Sequence, residues 1–367
     1  MNLYVLGDIR NAYRTQLVIK LLMENSITNV AVNSFRENGF WKKSIKFLVN
    51  LIMLAQSDVV YVCSIQHNSK LLKMARWMHK KIILEFYISF YDTDVFDRKL
   101  YKKESRQAKK LKKIDKFAIQ TADKVIFLNK AEAEYYARIL GFSLSSINYS
   151  IIPVCVSEKP EAKLKFFKSS KKTIDICWVG TYIPLQGVDK IIAAASILKE
   201  KNVEFRITLW GDSDVKAKKY VDKINGLGLT NYFFVNNKDW GNIKKWERYI
   251  VNNCDLTLGI FGDSCKARTV IANKVIDGLA FKTPLITGKS AGIDEYFDGK
   301  SDIYLTSDSP ESIAEMIMEI IGSSDKKVLQ RVQNANDIYM REFSYHAFEQ
   351  KFIDIFTEMG LIESEKD

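Results

Sequence analysis

Two cations and a carboxylate lie close together in residues 261–288, and their spacing could bind a phosphorylated ligand. Lys266 and Arg268 occupy a polar loop before a predicted helix that begins at about Asn273, and Asp277 follows one turn later. A helix N-terminus has unpaired N–H groups and a partial positive charge, so it binds phosphate readily, and nearby cations add to this attraction. A carboxylate one turn further on accepts hydrogen bonds from ribose hydroxyls. The pattern is typical of a nucleoside diphosphate site, although an ordinary loop–helix–strand connection with a solvated Lys/Arg pair has the same spacing.

This stretch resembles the donor site of the retaining glycosyltransferases of family 4. Many members carry an E-x7-E pattern, in which the second Glu contacts ribose and the first lies near the donor sugar. Asp277, which precedes Gly278-Leu279-Ala280, takes the second position, whereas Thr269 stands where the first acid is expected. The resemblance implies an α/β GT-B fold, with two facing Rossmann-like domains of parallel strands and an interdomain cleft. The departures indicate a divergent bacterial member of the polysaccharide type.

The resemblance also implies which residues act on the donor. The family tends to carry an Arg and a Lys in the glycine-bearing loop that opens the second domain, but residues 180–187 have Thr181 and Gln186 in those places. Lys266 and Arg268 are therefore expected to replace the missing phosphate cations. The implied catalytic residues are Asp92, Asp97, Arg98, Lys266 and Arg268. The implied nucleotide-binding residues are Gly7, Arg10, Thr181, Gly211, Val270, Asn273, Lys274 and Asp277.

Most of these residues follow predicted strands, which is where open α/β sheets bind ligands. Gly7 and Arg10 follow the first strand, although a plain turn is the more common explanation of an Arg at the position of Arg10. Asp92, Asp97 and Arg98 follow the fourth strand, where three carboxylates and an Arg are more than a turn requires. Gly211 ends a strand of the second series, and the loop that it opens is expected either to lie near the nucleotide base or simply to turn the chain.

Other chemistries have little support in the sequence. The two D-x-D triplets, at 92–94 and 212–214, are a weak indication of a metal–nucleotide site, and GT-B enzymes generally need no bound metal. The three histidines form no H-E-x-x-H motif, and neither a G-x-S-x-G elbow nor a Walker loop occurs. We therefore expect no metal and no permanently bound cofactor. A UDP- or GDP-sugar is the expected co-substrate.

The order of apolar runs predicts two domains. Six strand-like runs alternate with helix-length segments before residue 157, and six more follow residue 173, which predicts parallel sheets covered by helices. We expect an N-terminal acceptor- and membrane-facing Rossmann-like domain at 1–157, a linker at 158–173 and a C-terminal donor domain at 174–340. Residues 341–367 form an amphipathic stretch that, by the resemblance, crosses back to the first domain.

Charge is distributed unevenly over the 367 residues. The chain has a net charge of +11, and residues 1–157 contribute 25 Lys and Arg against 13 Asp and Glu. Ten cations lie at 98–116, on a predicted amphipathic helix with a cationic outer face, and a second basic cluster lies at 41–46. A solvated helix surface explains such a run, but two basic patches in one half favour attraction to anionic lipid headgroups. The five cysteines show no C-x-x-C spacing, which indicates reduced thiols.

These observations together predict a glycosyltransferase. We expect it to move a sugar from a nucleotide-sugar donor to a glycan or polyprenyl-diphosphate-linked acceptor, with retention, in surface polysaccharide synthesis. The expected location is the cytoplasm, peripheral on the inner face of the cell membrane, with no nucleic-acid partner. Two alternatives stay open: a GT-B sugar-nucleotide epimerase, and a non-catalytic protein that binds nucleic acid or another polyanion through its basic half.

Overall fold

The computed structural model describes residues 2–6, 13–24, 30–33, 40–64, 67, 70–156, 159–164 and 173–361. The chain divides into two compact units. The first unit comprises Met1–Pro153 together with Phe348–Asp367, and the second comprises Val154–Ala347. In the part of the chain that is described, no helix is long and apolar enough to cross a bilayer.

The first unit is built on a six-stranded parallel sheet. Its strands are β1 (Leu3–Leu6), β2 (Val30–Asn33), β3 (Val59–Val62), β4 (Lys81–Glu85), β5 (Lys124–Phe127) and β6 (Tyr149–Ile151). Their order is β2-β1-β3-β4-β5-β6, and the central strands β1, β3 and β5 are buried along their whole length. The connecting helices are α1 (Tyr13–Glu24), α2 (Phe40–Gln56), α3 (Lys70–Trp77), α4 (Arg106–Thr121) and α5 (Lys130–Leu140). Strands buried on both faces need continuous apolar runs, which is why these runs are visible in the sequence.

The second unit repeats this architecture. Its strands are β7 (Ile174–Gly180), β8 (Phe205–Gly211), β9 (Phe233–Val235), β10 (Leu256–Leu258), β11 (Leu285–Gly288) and β12 (Tyr304–Thr306), in the order β12-β11-β10-β7-β8-β9. Its helices are α6 (Val188–Glu200), α7 (Asp214–Gly226), α8 (Ile243–Asn253), α9 (Asn273–Ala280), α10 (Ala291–Asp294), α11 (Pro310–Gly322) and α12 (Asp325–Glu342). The last helix, α13 (Tyr345–Glu358), packs on the first unit, where Phe352 lies against Tyr61 of β3.

Three predicted boundaries are wrong, each for a local reason. The amphipathic helix expected within 98–121 begins at Arg106, because the Ser105 side chain caps it by accepting a hydrogen bond from the Ala108 N–H. The stretch expected to be continuous from 341 is interrupted, because α12 ends at Glu342 and Ser344 accepts a bond from the Ala347 N–H at the start of α13. The sixth apolar run of the first series, residues 151–154, predicts a strand there, but β6 is Tyr149–Ile151; Ile152 still donates its N–H to the Phe127 carbonyl, and the residues after it are buried.

A buried ion pair joins α1 and β4 to the C-terminal helix. The Arg14 Nε lies 2.5 Å from a carboxylate oxygen of Glu85, and both side chains are nearly inaccessible to solvent. The remaining Arg14 nitrogens donate to the Ile152 and Pro153 carbonyls, and the guanidinium lies 5.1 Å from the Phe348 ring centroid on α13. Burial alone would lower the pKa of Arg14, but the Glu85 carboxylate outweighs it and raises that pKa, so the guanidinium keeps its charge.

We predict that Glu85→Gln destabilises the protein by about 3–5 kcal/mol, because it leaves the Arg14 charge buried without its partner. Chemical denaturation followed by circular dichroism would measure the change. Glu24→Gln, which removes an exposed partner of Lys20 at 3.6 Å, is the matched control and should change stability by about 0.5 kcal/mol or less. Equal losses for the two variants would contradict a dominant role of the buried pair.

Candidate functional site

The candidate site of the second unit lies where its parallel strands end. β7 ends at Gly180 and β8 at Gly211, and these two residues are paired in register. A Cβ at Gly180 would overlap the Lys274 ammonium and lie 2.7 Å from a carbon of the Trp178 ring, and one at Gly211 would overlap the Tyr182 ring, so a side chain at either position would force its neighbours to move. The glycines therefore let a lysine and an aromatic ring lie directly over the strand ends.

Lys274 is the most unusual cation of this site. It is the second residue of α9, its Nζ lies 4.1 Å from the centroid of the Trp178 ring, and it donates a hydrogen bond to the side-chain oxygen of Gln186. Burial lowers the pKa of Lys274 well below its usual value, and the nearby Asp277 carboxylate opposes this shift only in part. An anion that binds beside this desolvated ammonium group would raise the pKa of Lys274, because the anion stabilises the charged form.

Asp277 lies in a second buried cluster beside Lys274. Its carboxylate is 2.8 Å from the Lys159 Nζ, which is also 2.7 Å from Glu247 and lies over the rings of Trp246 and Phe281. Burial raises the pKa of Asp277, although Lys159 lowers it in part. Burial alone would lower the pKa of Lys159, but the two carboxylates outweigh it and raise that pKa.

The pairing of Asp277 limits its predicted contact with ribose. The cavity between Asp277, Lys274 and Gly278 has a volume of about 10 Å³, which is enough for about one water molecule. A ribose hydroxyl would therefore have to share the carboxylate with Lys159 or displace it. Neither Lys159 nor Glu247 was predicted from the sequence. No sequence pattern identifies this cluster, because Trp246 lies in α8 and Phe281 follows α9, so the two rings that flank Lys159 are far apart along the chain.

Helix α9 begins at Asn273, as predicted, and no side chain caps its N-terminus. Ala272 precedes it in an extended conformation and has no side chain that could cap the helix, and the first turn contains no acidic residue. Asn273 is exposed and Val270 is half-buried. Such an end combines unpaired N–H donors with the positive end of the helix dipole.

The loop before α9 holds the two predicted cations in different surroundings. Arg268 is exposed, with its guanidinium 3.3 Å from the Asp308 carboxylate, whereas Lys266 is half-buried. The Arg268 carbonyl accepts a hydrogen bond from the Ala291 N–H, which ties this loop to α10. Thr269, at the position of the missing acid, donates its hydroxyl to the Lys266 carbonyl.

Backbone contacts fix the conformation of the loop that follows β7, at residues 180–187. Thr181 is half-buried, and its carbonyl accepts a bond from the Ile183 N–H at 2.7 Å. Gly187 adopts a left-handed conformation with φ of 66°, and a Cβ there would lie 2.6 Å from the Phe261 carbonyl carbon. The Gly262 N–H donates to the Leu185 carbonyl. These backbone contacts hold the loop after β7 against the loop after β10.

The loop after Gly211 forms a turn and not a free carboxylate pair. One oxygen of Asp212 accepts the Tyr182 N–H at 3.2 Å, and the other pairs with Lys216. Asp214 accepts a bond from Asn237, whose side-chain oxygen in turn accepts the Tyr182 hydroxyl at 2.8 Å. Over the described residues, no group of His, Cys, Asp or Glu side chains is arranged to hold a metal ion.

The predicted residues of the first unit differ in accessibility. Asp92 is completely buried and accepts a hydrogen bond from the Tyr135 hydroxyl, and Asp97 is 8% exposed. Arg98 is exposed and lies 3.9 Å from Asp94. Asp92 and Asp97 begin and end a single π-helical turn after β4. Gly7 and Arg10 lie outside the described residues.

A polar cluster that was not predicted lies beside Asp92. Asp115 of α4 is buried and accepts three hydrogen bonds, from His67 Nε2 at 2.8 Å, the Ser89 hydroxyl at 2.6 Å and the Tyr91 N–H at 2.9 Å. His67 also stacks on Phe90, with ring centroids 4.3 Å apart. The sequence does indicate that Asp115 is buried. It lies four residues after Leu111 and seven after Ala108, which places a carboxylate on the apolar face of an otherwise cationic helix.

The comparisons with known proteins concern the fold. No protein-family model and no curated protein sequence matches the chain. Among solved structures, sucrose-phosphate synthase from Thermosynechococcus elongatus is similar, with a TM-score of 0.69 at 12% identity over 98% of this chain and 99% of that chain. HepE from Anabaena, solved with UDP-glucose, gives 0.70 at 13% identity over 98% and 100%. A glycosyltransferase from Rickettsia africae gives 0.62 at 13% identity over 99% and 98%.

The chain has the GT-B fold. Likeness at this level of identity establishes architecture, so the prediction of a GT-B fold with two Rossmann-like units of parallel strands is confirmed. Within this fold the candidate site of the second unit consists of the strand ends, the open start of α9 and the half-buried Lys274.

We predict a pH dependence of stability that is specific to Lys274. Its lowered pKa means that the unfolded chain binds more protons than the folded chain below the usual value of 10.5, so stability rises with pH in that range. The unfolding free energy of the wild type, relative to Lys274→Met, should therefore increase as pH rises toward about 10. Denaturation of both proteins over this pH range would test it. Lys289→Met, at an exposed lysine, is the control, and an equal trend in both variants would refute the assignment.

Proposed function

We propose that the protein is a retaining glycosyltransferase of the family 4 type, which transfers a sugar from a nucleotide donor to a glycan or lipid-linked acceptor. The observation that carries this proposal is the start of α9. There an uncapped helix N-terminus, the Lys266–Arg268 loop and the desolvated Lys274 occur within nine residues, beside the carboxyl ends of a parallel sheet. A diphosphate placed there would receive N–H donors and cations together.

The proposed chemistry uses these groups to stabilise the departing diphosphate. The bond between the anomeric carbon and the phosphate oxygen breaks, the acceptor hydroxyl oxygen forms a bond to that carbon from the same face, and its proton passes to the departing phosphate. Negative charge collects on the diphosphate as this bond breaks. Fixed donors aimed at such charge commonly contribute about 3–4 kcal/mol each to lowering a barrier.

The donor and acceptor are proposed by class. HepE binds UDP and UDP-glucose in its solved complexes, which supports a UDP-sugar for this chain, with a GDP-sugar as the other possibility. The second unit would bind the donor. The first unit would receive the acceptor, for which we propose a glycan or polyprenyl-diphosphate-linked sugar in surface polysaccharide synthesis, such as O-antigen synthesis. No metal is required by this chemistry.

A thermal-shift screen of UDP, GDP, ADP and CMP, each with its sugar conjugates, would test the proposal. A ligand that binds only the folded chain stabilises it by about 2.7 kcal/mol at a hundredfold excess over its dissociation constant. We expect UDP or GDP compounds to raise the melting temperature. No shift with any of the nucleotides would contradict the proposed donor site.

Arg268→Ala should weaken nucleoside diphosphate binding and strongly reduce transfer, with little effect on the fold because Arg268 is 62% exposed. Isothermal titration with the nucleotide found in the screen, together with a transfer assay, would measure this. The matched control is Arg341→Ala, because Arg341 is also exposed and also pairs with a carboxylate, that of Glu342 at 3.1 Å. If both variants bind and turn over equally, Arg268 has no donor role.

We also propose that the protein is peripheral on the inner face of the cell membrane, since a polyprenyl-linked acceptor presents its reactive end there. The charge of the first 157 residues supports this, and Lys109, Lys110 and Lys113 are exposed on α4. Each cation near an anionic surface contributes about 1 kcal/mol.

Replacing Lys109, Lys110 and Lys113 with Glu should abolish flotation with anionic vesicles at low salt, because it reverses the charge of the exposed α4 face. Nucleotide binding should survive, since these residues belong to the first unit. The control is the same substitution at three exposed lysines of α7, Lys216, Lys218 and Lys219. If the variant with Glu at the three α4 positions still floats with anionic vesicles, α4 does not contribute to membrane binding.

A further inference from the structure

The outward face of α2 is apolar although it faces solvent. Ile45, Leu48, Val49 and Ile52 recur at intervals of three and four residues, so they form one stripe along the helix. Their exposed fractions are 61%, 59%, 42% and 58%. Leu54, which lies on the other side of the helix, is fully buried in the core of the first unit. Thus α2 has two apolar faces, of which only one is covered by residues that the structure describes.

The helices that follow α2 in the same layer, α3 and α4, carry exposed cations. Right-handed crossovers between β2, β3, β4 and β5 place α2, α3 and α4 side by side on one face of the first sheet. The Lys73 Nζ of α3 lies 5.8 Å from the Phe117 ring centroid of α4, which confirms that these two helices adjoin. Cations are exposed on both helices, namely Lys70, Lys73 and Arg76 on α3 and Arg106, Lys109, Lys110 and Lys113 on α4.

The charged residues of α2 have one sign. Residues 40–56 contain Lys42, Lys43 and Lys46 and no Asp or Glu. Trp77 at the end of α3 is 76% exposed and Phe117 of α4 is 40% exposed, so aromatic rings occur on the outer faces of the same helix layer. An apolar stripe accompanied by lysines and aromatic rings is the composition of helices that lie in the plane of a membrane surface.

We infer that α2 is an interfacial helix, whose stripe of Ile45, Leu48, Val49 and Ile52 enters the acyl boundary of an anionic bilayer. The cations of α3 and α4 then contact the headgroups. Charge decides between the possible occupants, because a second copy of the chain would bring two cationic surfaces together, whereas anionic lipid complements them. This inference rests on the proposed peripheral location and adds the element that enters the lipid.

Two signals acting together are what stable but reversible membrane binding requires. The cations attract the protein to the surface, and the stripe supplies apolar burial that charge alone does not. Because α2 is covalently part of the first unit, insertion would hold that unit at a defined depth and orientation. A lipid-linked acceptor would then be reached from the plane of the bilayer.

The test compares the full chain with a variant whose stripe is polar. Ile45→Gln, Leu48→Gln and Ile52→Gln together keep helix propensity while removing apolar contact. The control variant carries Gln at Val215, Ile243 and Met340, which are exposed to 88%, 52% and 58% and lie in the second unit. In sedimentation with vesicles of phosphatidylcholine and phosphatidylglycerol, we expect the α2 variant to bind at least about tenfold more weakly than the wild type and the control to bind like it.

A second measurement reports insertion itself. In a Cys265→Ser background, which removes the exposed cysteine, a fluorophore on Leu48→Cys should be quenched by lipids brominated in their acyl chains. The same fluorophore on Val215→Cys should not be quenched. Binding without quenching at position 48 would overturn insertion. Self-association of the lipid-free wild type that the α2 variant abolishes would assign the stripe to a second copy, and would also overturn it.

A nucleotide thermal shift on the same variants separates this inference from the proposed function. Retained stabilisation by nucleotide with normal vesicle binding in the α2 variant would overturn the interfacial helix alone. Loss of any nucleotide effect in the wild type, with vesicle insertion intact, would overturn the donor site alone.

Discussion

Two buried ammonium groups determine the polar interior of the second unit. An ammonium group removed from water needs nearby acceptors or anions, because an uncompensated buried charge strongly destabilises a fold. Lys159 meets this need with the carboxylates of Asp277 and Glu247, whereas Lys274 has the amide oxygen of Gln186 and the Trp178 ring. The backbone contributes as well, since a Cβ at Gly180, at the end of β7, would displace the Lys274 ammonium group or the Trp178 ring from its present position.

A bound anion would affect the charge of Lys274 more than that of Lys159. The pKa of Lys159 is raised by its carboxylates, so its charge is already balanced within the protein. The pKa of Lys274 is lowered by burial, so its charged form is incompletely compensated. Under the proposed function, an arriving diphosphate would supply the missing negative charge, and nucleotide binding would be coupled to proton uptake. A site of this kind favours an anionic ligand over a neutral one without any metal ion.

The two units share an architecture but use their polar residues in opposite ways. In the first unit, cations lie on the outward faces of α3 and α4, while the carboxylates of Glu85 and Asp115 are buried and paired with Arg14 and His67. In the second unit, the ammonium groups of Lys159 and Lys274, which belong to the candidate site, are largely withdrawn from solvent. Under the two proposals, the same parallel-sheet architecture would carry a surface for anionic lipid in the first unit and a site for an anionic ligand in the second, which is consistent with function residing in sites and not in folds.

The two parallel sheets, the start of α9 at Asn273 and the cationic face of α4 could be predicted from the amino-acid sequence. These features depend on periodicity and on neighbours along the chain, which can be read locally. The sequence also indicated that Lys274 and Asp277 belong to one site, because they share a helix turn. Three features could not be predicted in this way: the pairing of Asp277 with Lys159, the hydrogen bonds that Asp115 accepts from His67 and Ser89, and the exposure of the α2 stripe. These outcomes depend on residues distant in sequence, and burial and pairing are set by how whole elements pack.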